Sequence, residues 1–167
     1  GKAPEMEYAY KLWLAHGVTT VRGVSLAPHA IARSERDRSA RGEIVAPRIY
    51  NYQTMGSGWN RGRIHDAAKA REWVRWGAAN GIDGIKFFIR GDETPETVLA
   101  AIDEANKLGM GTVAHIAQPG VAQLNAEQLA EAGLGTITHF YGHFESLLAG
   151  REIQNYPVDY NFLDEQK

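Results

Sequence analysis

The sequence has no cysteine, which excludes disulfides and thiolate metal sites but leaves the redox compartment open. It has no excess of basic charge either. The net charge is −2 and the pI about 6.3, and the arginines are dispersed rather than gathered in one block. A nucleic-acid or anionic-membrane partner needs a concentrated basic face, so neither is expected. No apolar run approaches the ~20 residues of a membrane helix, and no signal peptide opens the sequence at Gly1. A soluble protein of unassigned compartment is expected. Neither GxGxxG nor GxxxxGK[ST] follows any apolar segment, so the two common nucleotide-binding sheets lose support.

What is present is a series of strand–helix units within 167 residues, a length sufficient for one domain with a real core. A first helix is expected over Pro4–Ala15, ended by Gly17. The β-branched run Val18–Val24 (VTTVRGV) predicts a strand, and Ala27–Ala40 a helix with a charged solvated face. Pro47–Tyr52 (PRIYNY) is the next strand, and the Gly-rich segment Gln53–Arg63 a loop. A helix follows over His65–Asn80. Gly84–Ile89 (GIKFFI) is a third strand, after which Thr94-Pro95-Glu96 opens a helix with an N-cap and a first-turn proline; it runs to Leu108. Gly111–Ile116 (GTVAHI), a helix over Asn125–Ala132 and a last strand, Gly135–Phe140 (GTITHF), complete the pattern. Beyond Gly142 the periodicity fades, and Tyr156–Lys167 is predicted to be an irregular polar tail. Alternation of this kind implies parallel strands with right-handed crossovers. Short, apolar, evenly spaced strands fit an α/β barrel or part of one.

Lys86 stands inside Ile85-Lys86-Phe87-Phe88-Ile89, and lysine is almost never fully buried unless paired or modified. Three readings are open: a strand-end lysine reaching to the surface, a Schiff-base nucleophile, or a lysine carbamylated by CO₂ and so turned into a carboxylate-like metal ligand. His115 ends GTVAHI and His139 ends GTITHF. Each alone is better explained by packing as a core histidine. Together, near the C-terminal ends of neighbouring strands, they lie where a barrel keeps its active site, and neutral imidazole suits zinc. Residue parity pairs Lys86 with Phe88, His115 with Val113 and His139 with Ile137, and all are expected to face the barrel interior.

The segments LAHGVTTVRGV (Leu14–Val24), GIDGIKFFI (Gly81–Ile89), GTVAHI (Gly111–Ile116) and LAEAGLGTITHF (Leu129–Phe140) resemble the amidohydrolase superfamily, in its imidazolonepropionase-like and prolidase-like branch. The resemblance covers roughly Tyr8 to His143. It implies a metal-dependent hydrolase barrel in which Lys86 is the carbamylated bridging ligand and His115 and His139 are metal ligands. The metal would most often be zinc, the reaction hydrolysis of amide or peptide C–N bonds by metal-activated water, and the substrate a small amide or dipeptide. Two family features have no counterpart: a His-x-His pair on the first strand, and the strand-end aspartate that acts as general base. Gly23 also stands where relatives often have aspartate. Since a (β/α)₈ barrel takes ~250 residues, residues 1–167 are expected to form one incomplete barrel domain, roughly strands two to six. Such a piece is expected to be inactive alone, with its metal site weak or empty and Lys86 unmodified. A non-catalytic unit completed by another chain, or self-associated through exposed sheet edges, is the alternative.

Secondary candidates are Tyr141 and His143, just past the last strand, as substrate contacts. Tyr50 and Tyr52 are candidate pocket-lining residues. Trp59 with Arg61 and Arg63, in the Gly-rich loop, suits a carboxylate or is simply solvated. His16, His29 and His65 fit surface positions, and Trp73 and Trp76 a helix face packed on the sheet.

Overall fold

The computed structural model describes residues 3–24, 28–90, 93–121 and 123–146. The expected tail over Tyr156–Lys167 lies outside them. Among the described residues, five strands form one wholly parallel sheet in chain order: β1 (Thr20–Val24), β2 (Arg48–Thr54), β3 (Gly84–Ile89), β4 (Gly111–Ile116) and β5 (Thr136–Thr138). The sheet curls into a half-barrel flanked by helices α1 (Ala3–Ala15), α2 (His29–Ala40), α3 (Ala67–Ala79), α4 (Pro95–Lys107) and α5 (Ala126–Glu131), with a one-turn helix α6 (His143–Ser146) after β5. No helix among the described residues is long and apolar enough to cross a membrane.

The helix boundaries follow local chemistry. At α3 the Asp66 carboxylate accepts from the Lys69 backbone N–H, and at α4 the Thr94 hydroxyl accepts from the Thr97 N–H with Pro95 at the first helical position. Each cap satisfies a backbone donor that the helix cannot, worth about 1 kcal/mol. Asn125 and Gln128 form a reciprocal capping box at α5.

Sheet and helices meet in a core built on the alternation of β3 and β4. Ile85, Phe87, Ile89, Ala114 and Ile116 face outward onto Trp73 and Val74 of α3 and Val98 and Ile102 of α4, all fully buried or nearly so. Trp73 sits on the sheet-facing side of α3, as the sequence implied. The two helices are tied together by Arg75, whose guanidinium is 2.8 Å from Glu104, and by Arg71 on Asp103 and Glu104. A smaller cluster of Tyr10, Ile44 and Ile49 docks α1.

The outer face of β2 departs from the apolar strand expected. It carries buried Asn51 and Gln53. Gln53 donates to Asn51 at 2.8 Å, Asn51 donates to the Gly81 carbonyl at 2.8 Å, and the Ser57 hydroxyl donates to Gln53 at 2.7 Å. This hydrogen-bonded ladder carries the strand two residues past the predicted end at Tyr52. The last strand is shorter than expected and stops at Thr138.

Candidate active site on the concave face

Parallel neighbours in register share a side of the sheet. Register pairs Arg22 with Tyr50, Tyr52 with Gly84, Thr54 with Lys86, Phe88 with His115, and His115 with Thr138. These residues therefore line one face, opposite the helices. That this face is concave follows from Arg22 on β1, whose Nη1 donates to the Thr136 hydroxyl on β5 at 3.0 Å, spanning all five strands.

Tyr52 fills the floor. A Cβ built on Gly111 would fall 2.6 Å from Tyr52 Cζ, and one on Gly84 would overlap the same ring. The ring therefore lies flat across β3 and β4 only because both positions are glycine. The Arg22 guanidinium stands 5.9 Å from the centroid of that ring.

Above the floor is Lys86, only 5 % exposed, so the surface-reaching reading of this lysine does not describe it. Its Nζ donates to the Thr138 hydroxyl at 3.1 Å, and that hydroxyl donates in turn to the Ala114 carbonyl at 3.0 Å. The Phe88 ring is 5.1 Å from the Nζ. Among the described residues no carboxylate pairs with this ammonium. Burial first, and the Arg22 charge second, hold its pKa below the ordinary lysine range.

His115 stands beside Phe88, with ring centroids 5.8 Å apart, and meets His139 edge-to-face at 4.8 Å. Burial, then His139, Lys86 and Arg90, hold the His115 imidazole below its usual range. It is therefore neutral, with a lone pair to offer, at pH 7.

His139 reaches this place by a route the parity argument did not foresee. Thr138, not His139, continues the inward row, while Ile137 pairs in register with Ala114 and packs against the core on the helix side. His139 lies past the strand end at φ 70°, the non-glycine residue with positive φ among those described. The left-handed turn swings its ring back toward His115. That conformation costs on the order of 1 kcal/mol in a residue with a Cβ.

Tyr141 packs against the helix-side core. His143 is exposed at the start of α6, its Nδ1 3.2 Å from the Phe140 carbonyl. Neither stands in the concave row that carries Lys86 and His115. Tyr52 lines the site as its strand-end position suggests, whereas Arg22 and Thr138 are site residues that reading the sequence does not single out. For Arg22 a signal existed: a cation within the β-branched run VTTVRGV is as anomalous as Lys86 in GIKFFI.

The donor set supplies two adjacent imidazoles and one amine. Among the described residues no group of three or more His, Cys, Asp or Glu gathers to hold a metal ion. Zinc takes roughly three or four protein ligands, so the set matches the nitrogen part of such a centre and does not complete it.

Comparison with known proteins bears on the fold. No family model matches the sequence. No curated protein matches it. Among solved structures, the chain is similar to "Crystal structure of putative prolidase from Bifidobacterium longum", with a TM-score of 0.62 and 24% identity over 81% of this chain. The chain has a prolidase-like fold. It covers 36% of that protein's chain, about a third of its length.

Proposed function

We propose that this chain is a segment of a metal-dependent amidohydrolase barrel whose concave face carries part of a hydrolytic metal centre. The observation that supports this best is the convergence of Lys86, His115 and His139 from three successive strands onto one face, with His139 drawn in by a strained backbone. Strain of that kind clusters at functional sites. In this reading His115 and His139 are nitrogen ligands. Lys86, whose amine burial makes easier to deprotonate, is the residue that CO₂ would carbamylate to supply a carboxylate-like ligand in the complete centre. Thr138 holds the Lys86 nitrogen in line, and Arg22 and Tyr52 form the wall behind it. A bound zinc would supply an activated water and polarise the carbonyl of a small amide or dipeptide. The remaining ligands and the general-base aspartate are assigned to the rest of the barrel, so the isolated segment is inactive.

Imidazole NMR during a zinc titration tests this reading. The His115 and His139 ring signals should shift together at sub-stoichiometric zinc while His16 and His65 stay put, and His115→Ala should abolish the response of His139. Independent or absent responses would sink the ligand assignment. Zinc-dependent dipeptide turnover by the purified chain, free of contaminating hydrolase, would contradict the claim that the segment is incomplete.

A second reading rests on a separate observation: among the described residues β1 and β5 end the sheet, and Phe140 beside β5 is 77% exposed. Unpaired strand edges favour association. In that reading the chain is a non-catalytic unit whose edges another copy covers. Sedimentation in dilute buffer separates the two, since a monomer at micromolar concentration counts against self-association.

A further inference from the structure

The concave face carries three cations, Arg22, Lys86 and Arg90. Among the described residues none of the three pairs with a carboxylate. On the helix side the pattern is the opposite, for Arg36, Arg71 and Arg75 each lie against an aspartate or glutamate. A concave wall of one charge sign focuses its field and draws a ligand of the other sign. The face therefore calls for an anion.

Arg90 is the cation placed to receive it. It follows β3 directly, with the parity of Lys86 and Phe88, and its guanidinium lies over the Phe88 ring, 4.7 Å from the centroid. The Lys86 Nζ is 5.1 Å from the same centroid, and the His115 ring is 5.8 Å away. One aromatic ring thus gathers a guanidinium, an amine and an imidazole. The Arg90 charge reaches His115, as one of the causes that hold its pKa down. Contact with the ring steadies the guanidinium without using any of its five N–H donors. Arg90 is exposed, so a ligand reaches it without moving the core. Arg22, by contrast, is committed to Thr136, and Lys86 is buried. A planar fork of N–H groups matches a carboxylate, which it holds by two parallel hydrogen bonds.

We propose that Arg90 is the specificity-determining residue of this face: its guanidinium holds a carboxylate of the ligand, so the site takes amides that carry a carboxylate in preference to neutral ones. That the ligand is an amide rests on the metal-centre reading above. The carboxylate contact belongs to this chain alone and needs no metal.

NMR titration of the zinc-free chain with N-acetyl-L-alanine tests it, with N-acetyl-L-alanine amide as the neutral counterpart. The Arg90 side-chain Nε–Hε signal should shift saturably with the acid, and the His115 ring signals with it. The amide should bind at least tenfold more weakly. Arg90→Gln should weaken binding of the acid at least tenfold, and Arg90→Lys, which keeps the charge and loses the fork, severalfold. Arg33→Gln, on α2, should leave the affinity unchanged. Both positions are exposed, so the core survives replacement, and far-UV circular dichroism matching the wild type establishes that the variants are folded. The proposal is overturned if the acid does not bind saturably, if the amide binds as well, if Arg90→Gln keeps the wild-type affinity, or if Arg33→Gln loses as much. Inorganic phosphate binding more tightly than the acid would make this a phosphate site and overturn it equally. Failure of the metal-centre reading is seen separately, as imidazole signals that ignore zinc, whatever the carboxylate does.

Discussion

Arg22 and Thr136 stand on the first and last strands of the sheet, 114 residues apart in sequence, and a 3.0 Å hydrogen bond joins them across the concave face. The bond acts as a tie that holds the curl, and it brings the guanidinium close enough to depress the pKa of Lys86. Arg22→Met should therefore do two separable things. It should destabilise the fold by about 1 kcal/mol, the scale of one hydrogen bond to a charged group discounted for exposure, read from urea unfolding. It should also move the Lys86 titration, followed by the ¹³Cε chemical shift, upward toward the ordinary value. An unchanged Lys86 titration would show that the two cations do not sense each other.

Lys86 is a buried cation without a carboxylate partner among the described residues. Its pKa is lowered in the folded chain, so near 10.5, its ordinary value, the unfolded chain binds more protons than the folded one. Stability therefore rises with pH from the folded pKa up to about 10.5, and below that window the charge is a standing penalty. Lys86→Met should stabilise the chain at pH 7 by roughly 1 kcal/mol or more. Its advantage over the wild type should shrink as pH approaches the ordinary lysine value. Comparing the two proteins cancels the other lysines and tyrosines. A Lys86→Met variant less stable than wild type at pH 7 would mean that the Thr138 contact outweighs desolvation.

Tyr52 and the two glycines beneath it form one packing unit. Gly111→Ala places a Cβ against the Tyr52 hydroxyl and ring, and overpacking of this kind costs about 1–3 kcal/mol. Tyr52→Phe removes the oxygen but keeps the ring, so it should recover part of that loss. A double-mutant cycle should return a coupling of about 1 kcal/mol or more. Additive losses would contradict the flat placement of the ring.

His139 carries the backbone strain of the site at φ 70°. His139→Gly should relieve it and raise stability by on the order of 1 kcal/mol, while weakening zinc binding at least tenfold. Opposite changes in stability and metal affinity mark a residue held in place for function rather than for the fold. A destabilised glycine variant would instead make the His115–His139 contact a structural one.

The strands that the sequence places to the residue, Gly84–Ile89 and Gly111–Ile116, are each opened by glycine and, Thr112 apart, apolar on the helix side, so pattern and packing agree. β2 runs past its expected end at Tyr52, where Gln53 and Thr54 look like loop. What sustains them as strand is a side-chain ladder through Asn51 and Ser57, which no hydrophobic period reveals. α6 has no sequence signature because four residues cannot hold a helix by propensity. The Ser146 hydroxyl ties it to the rest of the chain, donating to the Gly142 carbonyl and accepting from the Glu127 N–H at 3.2 Å. In the site, Lys86 and His115 were legible because a polar residue in an apolar strand is conspicuous. The role of Thr138 was not, since it depends on where β5 stops, and the parity carried on to His139 counted one residue too far. The reach of Arg22 to Thr136 depends on sheet curvature, which local sequence does not encode.

Zinc affinity tests the central claim most directly, namely that His115 and His139 form an incomplete nitrogen half of a metal centre. In competition with a weak chromophoric chelator, the chain should bind about one zinc with micromolar or weaker affinity. Affinity should fall at least tenfold in His115→Ala and again in His139→Ala, and dialysis against the chelator should strip the metal. Tight binding that survives dialysis would contradict the incompleteness of the site, and binding that ignores both histidines would contradict the site itself.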